Sequence, residues 1–353
     1  MKTKITVLFL VLVVAVPAAM AETMVYVPLG GAGEVLVIDA GADLTVGKIP
    51  GLEEVHGLAG VPGGKYLVAG SYTETAPDAP AIPSRPKGVS EEEHRAHHEA
   101  PAARAPASRK AISFVSVIQT EDQKVVRRIA VPGAVHHTAV TPDGRYAVAT
   151  HPNDDGVSVI DLAAFKVVKT VRTGPLPNYA VVSSDGKNIY VSNAGNGTIS
   201  EIDTARWTVR RNIAAGRNPE HFVLSPDDGA LYVNNVDAGT VSVISLERGE
   251  VVRTYEIGGV LHGIDLSDDG KTLFVSAKEN NKLVAIDLVK GRMRSVPLAP
   301  APYHLTAVRG TGKLYISSAE EPKIWVVDQK SLALLGDIPI RGKGHQMVVV
   351  VGK

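Results

Sequence analysis

Seven short apolar runs rich in β-branched residues recur along the chain, each closed by a polar turn and followed by a second extended run. They are Val35-Leu36-Val37-Ile38, Phe114-Val115-Ser116-Val117-Ile118, Val157-Ser158-Val159-Ile160, Ile199-Ser200-Glu201-Ile202, Val241-Ser242-Val243-Ile244, Leu283-Val284-Ala285-Ile286 and Ile324-Trp325-Val326-Val327. Lys166-Val167-Val168-Lys169-Thr170-Val171 is a typical second run. A further repeated stretch precedes most of them, as in Val135-His136-His137-Thr138-Ala139-Val140-Thr141-Pro142-Asp143-Gly144. Steps of 41 or 42 residues lead from His137 through Tyr179, His221, His262 and His304 to His345, and His56 lies upstream. A period of about 40 residues with strand-like content is the signature of a β-propeller. The pattern predicts an all-β fold of seven four-stranded blades.

The chain ends support closure. Gln346–Val351 begins a blade but has no strands after it, whereas Met24–Ile49 lacks a first strand. Joining the two completes the seventh blade and removes open edges. The period breaks once, between His56 and His137, by an insert over residues 73–110 in the first full blade. Its Pro- and Ala-rich flanks read as flexible linker. Its centre, Glu91–Glu99, has the spacing to place His94, His97 and His98 on one helical face. The insert is therefore either a lid or metal-capture arm, or a disordered charged loop. The first residues, Met1-Lys2-Thr3-Lys4, then an apolar run to Val16 and Ala19-Met20-Ala21, read as a secretory signal over residues 1–21, cleaved after Ala21. The propeller then occupies 22–353, in a periplasmic or secreted protein with no membrane span.

Lys plus Arg balance Asp plus Glu at 37 each, so no field attracts nucleic acid. Cysteine is absent, which removes disulfides, thiolate metal sites and c-type haem attachment.

The register puts His56, His136, His137, His221, His262, His304 and His345 at one mouth of the channel, with Tyr179 in the remaining place. His151, after a second strand, is expected on the same face as an auxiliary group together with the insert histidines. One reading is inherited blade structure, since a Gly-His pair in WD-type propellers serves only to bond within the blade. The other is metal, because neutral imidazole suits copper, zinc, iron and nickel. So many imidazoles exceed the three or four ligands of one zinc ion. Copper, in more than one ion, is favoured over zinc or haem. Crowding and burial are expected to keep the ring neutral and ready to coordinate. Tyr179 is either packing or a hydrogen-bond donor or redox partner, the one candidate catalytic residue. Glu220 and Asp265 are candidates for orienting ligands.

Ile189-Tyr190-Val191-Ser192-Asn193 and Leu231-Tyr232-Val233-Asn234-Asn235 resemble the repeats of the YVTN family of exported β-propellers, a family with many functions. The histidine pattern is similar to the propeller of nitrous oxide reductase, whose channel-mouth histidines, one adjacent pair among them, hold a multinuclear copper cluster. That resemblance implies His136 and His137 as the pair and His56, His221, His262, His304 and His345 as single ligands. No cysteine-bearing copper domain follows the propeller. Haem d1 propellers also use histidine at the channel. Three functions follow as expectations: a copper-dependent oxidoreductase served by a periplasmic electron-transfer protein; a non-catalytic metal or haem d1 handling protein with a metal-delivery partner; or a lactonase-like or interaction propeller.

Overall fold

The structure is a computed structural model that describes residues 22–75 and 111–351. Seven four-stranded antiparallel sheets follow one another along the chain. Blade 1 begins at Val55, blade 2 at Thr138, blade 3 at Pro177, blade 4 at Pro219, blade 5 at Leu261 and blade 6 at Pro302. Their first strands pack beside one another around the central axis. Blade 7 is composite: Val348–Val351 pairs antiparallel with Thr23–Leu29, which continues into Glu34–Asp39 and Leu44–Pro50. The closure expected from the sequence is the closure observed.

Alternation explains which strand lies where. The second and third strands of each blade are mostly buried, whereas the fourth strand buries few residues. Ile49, Val171, Ile213, Tyr255 and Ile338 recur at that fourth-strand position. Burying one such side chain stabilises by about 1.5–3 kcal/mol. The apolar clusters span blade boundaries: Tyr190, Ile199 and Ile213 of blade 3 pack with Phe222, Leu231 and Ile244 of blade 4.

The Asp-Gly turns have a repeated construction. The hydroxyls of Thr141, Ser183, Ser225 and Ser267 donate to Asp143, Asp185, Asp227 and Asp269. Those carboxylates also accept the backbone N–H groups of Arg145, Lys187, Gly229 and Lys271. Hydrogen bonds to the charged form hold all four carboxyls below their ordinary pKa. The insert leaves blade 1 between Tyr66–Ser71 and Ile112–Gln119, its second and third strands, as the sequence implied. Most of it, with His94, His97 and His98, lies outside the described residues, as does the segment read as a signal.

A polar clamp joins blade 6 to blade 7. Lys313 Nζ lies 2.7 Å from Asp43 Oδ2 and donates to the Ala40 carbonyl, while Tyr315 Oη donates to Asp43 Oδ1 at 2.5 Å. Asp43→Ala strands a partly buried lysine and a tyrosine hydroxyl. The loss should be about 2 kcal/mol, below the value for a fully buried pair because Asp43 retains solvent contact. The check is the urea midpoint, which should fall; an unchanged midpoint would show that the clamp contributes nothing to closure.

Candidate functional site

One local irregularity, repeated in every blade, builds the site. In blades 1, 3, 4, 5 and 6 the pairing of first and second strands skips two residues of the first strand: between Val55 and Leu58, Pro177 and Ala180, Pro219 and Phe222, Leu261 and Ile264, and Pro302 and Leu305. Two residues then oppose one, which is a β-bulge, and a bulge re-aims side chains. Blade 2 keeps the same geometry just before its strand, with His136 N donating to Thr150 O and Thr150 N to His137 O. Blade 7 repeats the first of these bonds, from His345 N to Pro28 O.

Each blade therefore offers a leading and a trailing residue. The leading row is His56, His136, Asn178, Glu220, His262, Tyr303 and His345; the trailing row is Gly57, His137, Tyr179, His221, Gly263, His304 and Gln346. This corrects the single register expected from the sequence. His262 and His345 do not align with His221 and His304 but stand one residue earlier. The bulge turns both of its residues inward, so a histidine at either reaches the axis.

The seven histidines expected at the mouth do converge there, all between 0% and 6% exposed. His56 stacks on His136 at 4.4 Å between ring centroids and lies 4.2 Å from His345. His137 contacts His221 at 4.9 Å, and His221 contacts His262 at 4.4 Å and His304 at 5.0 Å. Ring nitrogens approach directly: His137 Nε2 to His221 Nε2 is 3.2 Å, and His262 Nε2 to His304 Nε2 is 3.3 Å. Two groups bring three potential ligand atoms within 4.8 Å of one another, His56–His137–His304 and His221–His262–His304.

Glycine permits this crowding. A Cβ on Gly57 would come within 2.6 Å of the His137 backbone, and one on Gly263 within 2.5 Å of Leu305 N and Tyr303 O. The backbone around the pocket is itself held by small polar residues opposite the bulges. Thr150 Oγ1 donates to Asn178 O, Asn234 Nδ2 to His262 O, and Ser317 Oγ to Gly344 O, each reaching into the next blade. The Asn178 carbonyl also receives His137 Nδ1 at 3.0 Å. With the proton held there, the lone pair of His137 sits on Nε2 and faces the cluster, the arrangement that orients a metal-binding imidazole.

Electrostatics favours the neutral form of two of these rings. Burial first, then neighbouring imidazoles, hold His137 and His304 well below the ordinary histidine pKa. Tyr179 packs against His137 at 4.7 Å and His221 at 5.0 Å, and Gln346 Nε2 donates to its hydroxyl at 3.3 Å. Burial, then the Asp265 charge, pushes its pKa up to about 12, so it stands beside the cluster as a protonated O–H.

The other acids divide. Asp265 is committed to Arg309 and to the backbone N–H groups of Leu266 and Ala307, a structural role. Glu220 is buried in the leading row, close enough to Tyr303 to help raise the pKa of that phenol. Tyr303, not singled out in the sequence, stacks on His262 at 3.8 Å. Its signal was position: it occupies the leading place of blade 6.

His151 does not join the cluster. Its Nδ1 bonds Ala134 O at 3.1 Å and its Nε2 bonds Ser158 Oγ at 2.8 Å, inside blade 2. Asn193 and Asn235 make the same contact seven residues on, to Ser200 and Ser242. His151 is thus a blade residue, and the expectation that every histidine serves the mouth fails here.

Comparison with known proteins bears on this geometry. The family model of the cytochrome D1 heme domain matches residues 108–221, about a third of the chain, a stretch that includes His136, His137, Tyr179 and His221. No curated protein matches. Similar solved structures include Kuenenia stuttgartiensis hydrazine synthase, with 19% identity, a TM-score of 0.66, and coverage of 84% of this chain and 95% of that one. The periplasmic gluconolactonase of Pseudomonas aeruginosa has 14% identity, a TM-score of 0.71, and coverage of 95% and 100%. Dihydro-heme d1 dehydrogenase NirN in complex with DHE has 14% identity, a TM-score of 0.63, and coverage of 90% and 63%. These likenesses establish the propeller fold. They do not carry the YVTN or nitrous oxide reductase resemblance, and the heme-domain match points away from copper, put first on sequence, toward haem. Among the described residues no helix is long and apolar enough to cross a membrane.

His151 gives a pH prediction. Burial lowers its pKa to about 4, against about 6.5 in an unfolded chain. Between those values the unfolded state binds the extra proton, so stability falls as pH falls. By pH 5 the loss is about 2 kcal/mol. His151→Asn, which restores the residue used in blades 3 and 4, should remove that part of the acid sensitivity. Thermal melts from pH 7 to 4.5 check this; parallel curves for parent and variant would refute it.

Proposed function

We propose that this protein is an exported, non-catalytic handling protein for a metal-centred cofactor of the haem d1 class, seated at the channel mouth and liganded by imidazole. The observation that carries the reading is the heme-domain match over residues 108–221, which contains the His136–His137 pair and three consecutive bulges of the site. The chain's own residues fit such a group. His137 presents Nε2 while Nδ1 is held by Asn178 O. The neutrality imposed on His137 and His304 leaves lone pairs for a metal at physiological pH. Tyr179 supplies a protonated hydroxyl beside them. A bound tetrapyrrole would supply the metal, and His137 or His304 would hold it; the Asn178 carbonyl orients the His137 ring, and burial keeps both imidazoles from water. Export is supported by the N-terminal residues and by the periplasmic compartment named for one propeller of like fold.

A second reading is favoured by a specific observation. Each of the two three-histidine groups brings three nitrogens within 4.8 Å of one another, so copper held by imidazoles alone is the competing occupant. One experiment separates them. Protein purified from the exported fraction without chelator is analysed for iron and copper and by absorption, then titrated with ferric protoporphyrin as a tetrapyrrole probe. The haem reading predicts one tetrapyrrole per chain with a shifted Soret band, weakened on the order of tenfold or more in His137→Asn. Copper without tetrapyrrole absorption establishes the second reading. Neither metal nor binding would make the histidines structural.

A further inference from the structure

We infer that the cluster contains two overlapping seats for a single metal ion, one formed by His56, His137 and His304 and the other by His221, His262 and His304, filled one at a time. The inference rests on the reading that these imidazoles bind metal, and it applies to a bare ion.

Both seats are buried, and both use His304. A neutral imidazole has one nitrogen lone pair to give, because the other nitrogen carries the proton. His304 therefore serves one ion, and an ion in one seat denies the third ligand to the other. The seats also adjoin. His137 of the first faces His221 of the second, Nε2 to Nε2, at 3.2 Å. An ion can move between seats by exchanging two metal–nitrogen bonds for two others while His304 stays bound. No redox change and no co-reactant is involved.

The sequence shows why these five histidines differ from His136 and His345. His56 and His262 are leading residues, yet each is followed by a glycine, Gly57 or Gly263. With no trailing side chain in their blades, their rings come within reach of the trailing histidines: His56 lies 5.2 Å from His137 and 6.1 Å from His304, and His262 lies 4.4 Å from His221 and 4.6 Å from His304, centroid to centroid. His136 and His345 are followed by His137 and Gln346, and neither belongs to a three-ligand group among the described residues. The consequence is a site built for transfer across the channel mouth, since an ion delivered on the side of blades 1 and 2 can leave on the side of blades 4 and 5 without release.

The test is titration of the metal-stripped mature chain with Co²⁺, whose visible absorption reports three imidazoles plus water in a tetrahedral field. The parent should bind one Co²⁺. His56→Asn and His262→Asn should each still bind one, with affinity reduced only about twofold, because one of two equivalent seats is lost. His304→Asn and the double variant His56→Asn/His262→Asn should lose affinity on the order of tenfold or more. His151→Asn serves as the folded control, and thermal melts confirm that every variant is folded. Two ions in the parent, or loss of binding in either single variant of the His56 and His262 pair, would overturn the inference. So would a parent that takes up no Co²⁺; if that parent still binds ferric protoporphyrin, the proposed function stands while the two-seat site falls.

Discussion

Seven inner strands around one axis leave little room, and the two-residue bulge at the head of each strand is the constraint on which the site depends. Without it, successive side chains of a strand would alternate between the two faces of the blade. With it, two neighbouring residues per blade turn toward the axis, and what they are decides what the mouth can do. The propeller supplies the geometry through its polar supports, Thr150, Asn234 and Ser317, each fixing the backbone of the next blade. In this way blades 2, 4 and 6 support the site residues of blades 3, 5 and 7.

Such a cluster is costly as well as useful. Buried imidazoles at near-contact distances have to remain neutral, and each neutral ring needs a settled tautomer. The Asn178 carbonyl settles it for His137. Some of the left-handed backbone of the chain lies next to the site: Leu176, Asn218 and Ala301 have φ of 53°, 56° and 46°, immediately before the prolines that open blades 3, 4 and 6. Left-handed backbone at non-glycine residues is tolerated where the surroundings over-determine it, and it concentrates at functional sites.

The fold was legible because its signals are redundant. Period, β-branched runs, Asp-Gly turns and complementary chain ends all pointed to seven blades, and each has a visible cause in the structure, such as the hydroxyl–carboxylate turn at Thr141–Asp143. Convergence of the seven histidines was legible for the same reason. Their two rows were not. A spacing of 41 or 42 residues looks like one register with slack, whereas the one-residue difference decides whether a side chain leads or trails in the bulge. His151 misled because it resembles a ligand by residue type, though its seven-residue spacing to Ser158 matches Asn193–Ser200 and Asn235–Ser242. Tyr303 was overlooked because a tyrosine beside a histidine carries no metal signal until the stacking on His262 is seen.

The central claim, that this cluster ligates a metal centre, is tested most directly by X-ray absorption at the metal edge of protein isolated without chelator. The account predicts a first shell containing imidazole nitrogen, with the outer-shell scattering that histidine rings produce, and its loss when His137 and His304 are both replaced by Asn in a folded variant. A shell of oxygen alone, or a spectrum unchanged in that variant, would contradict it.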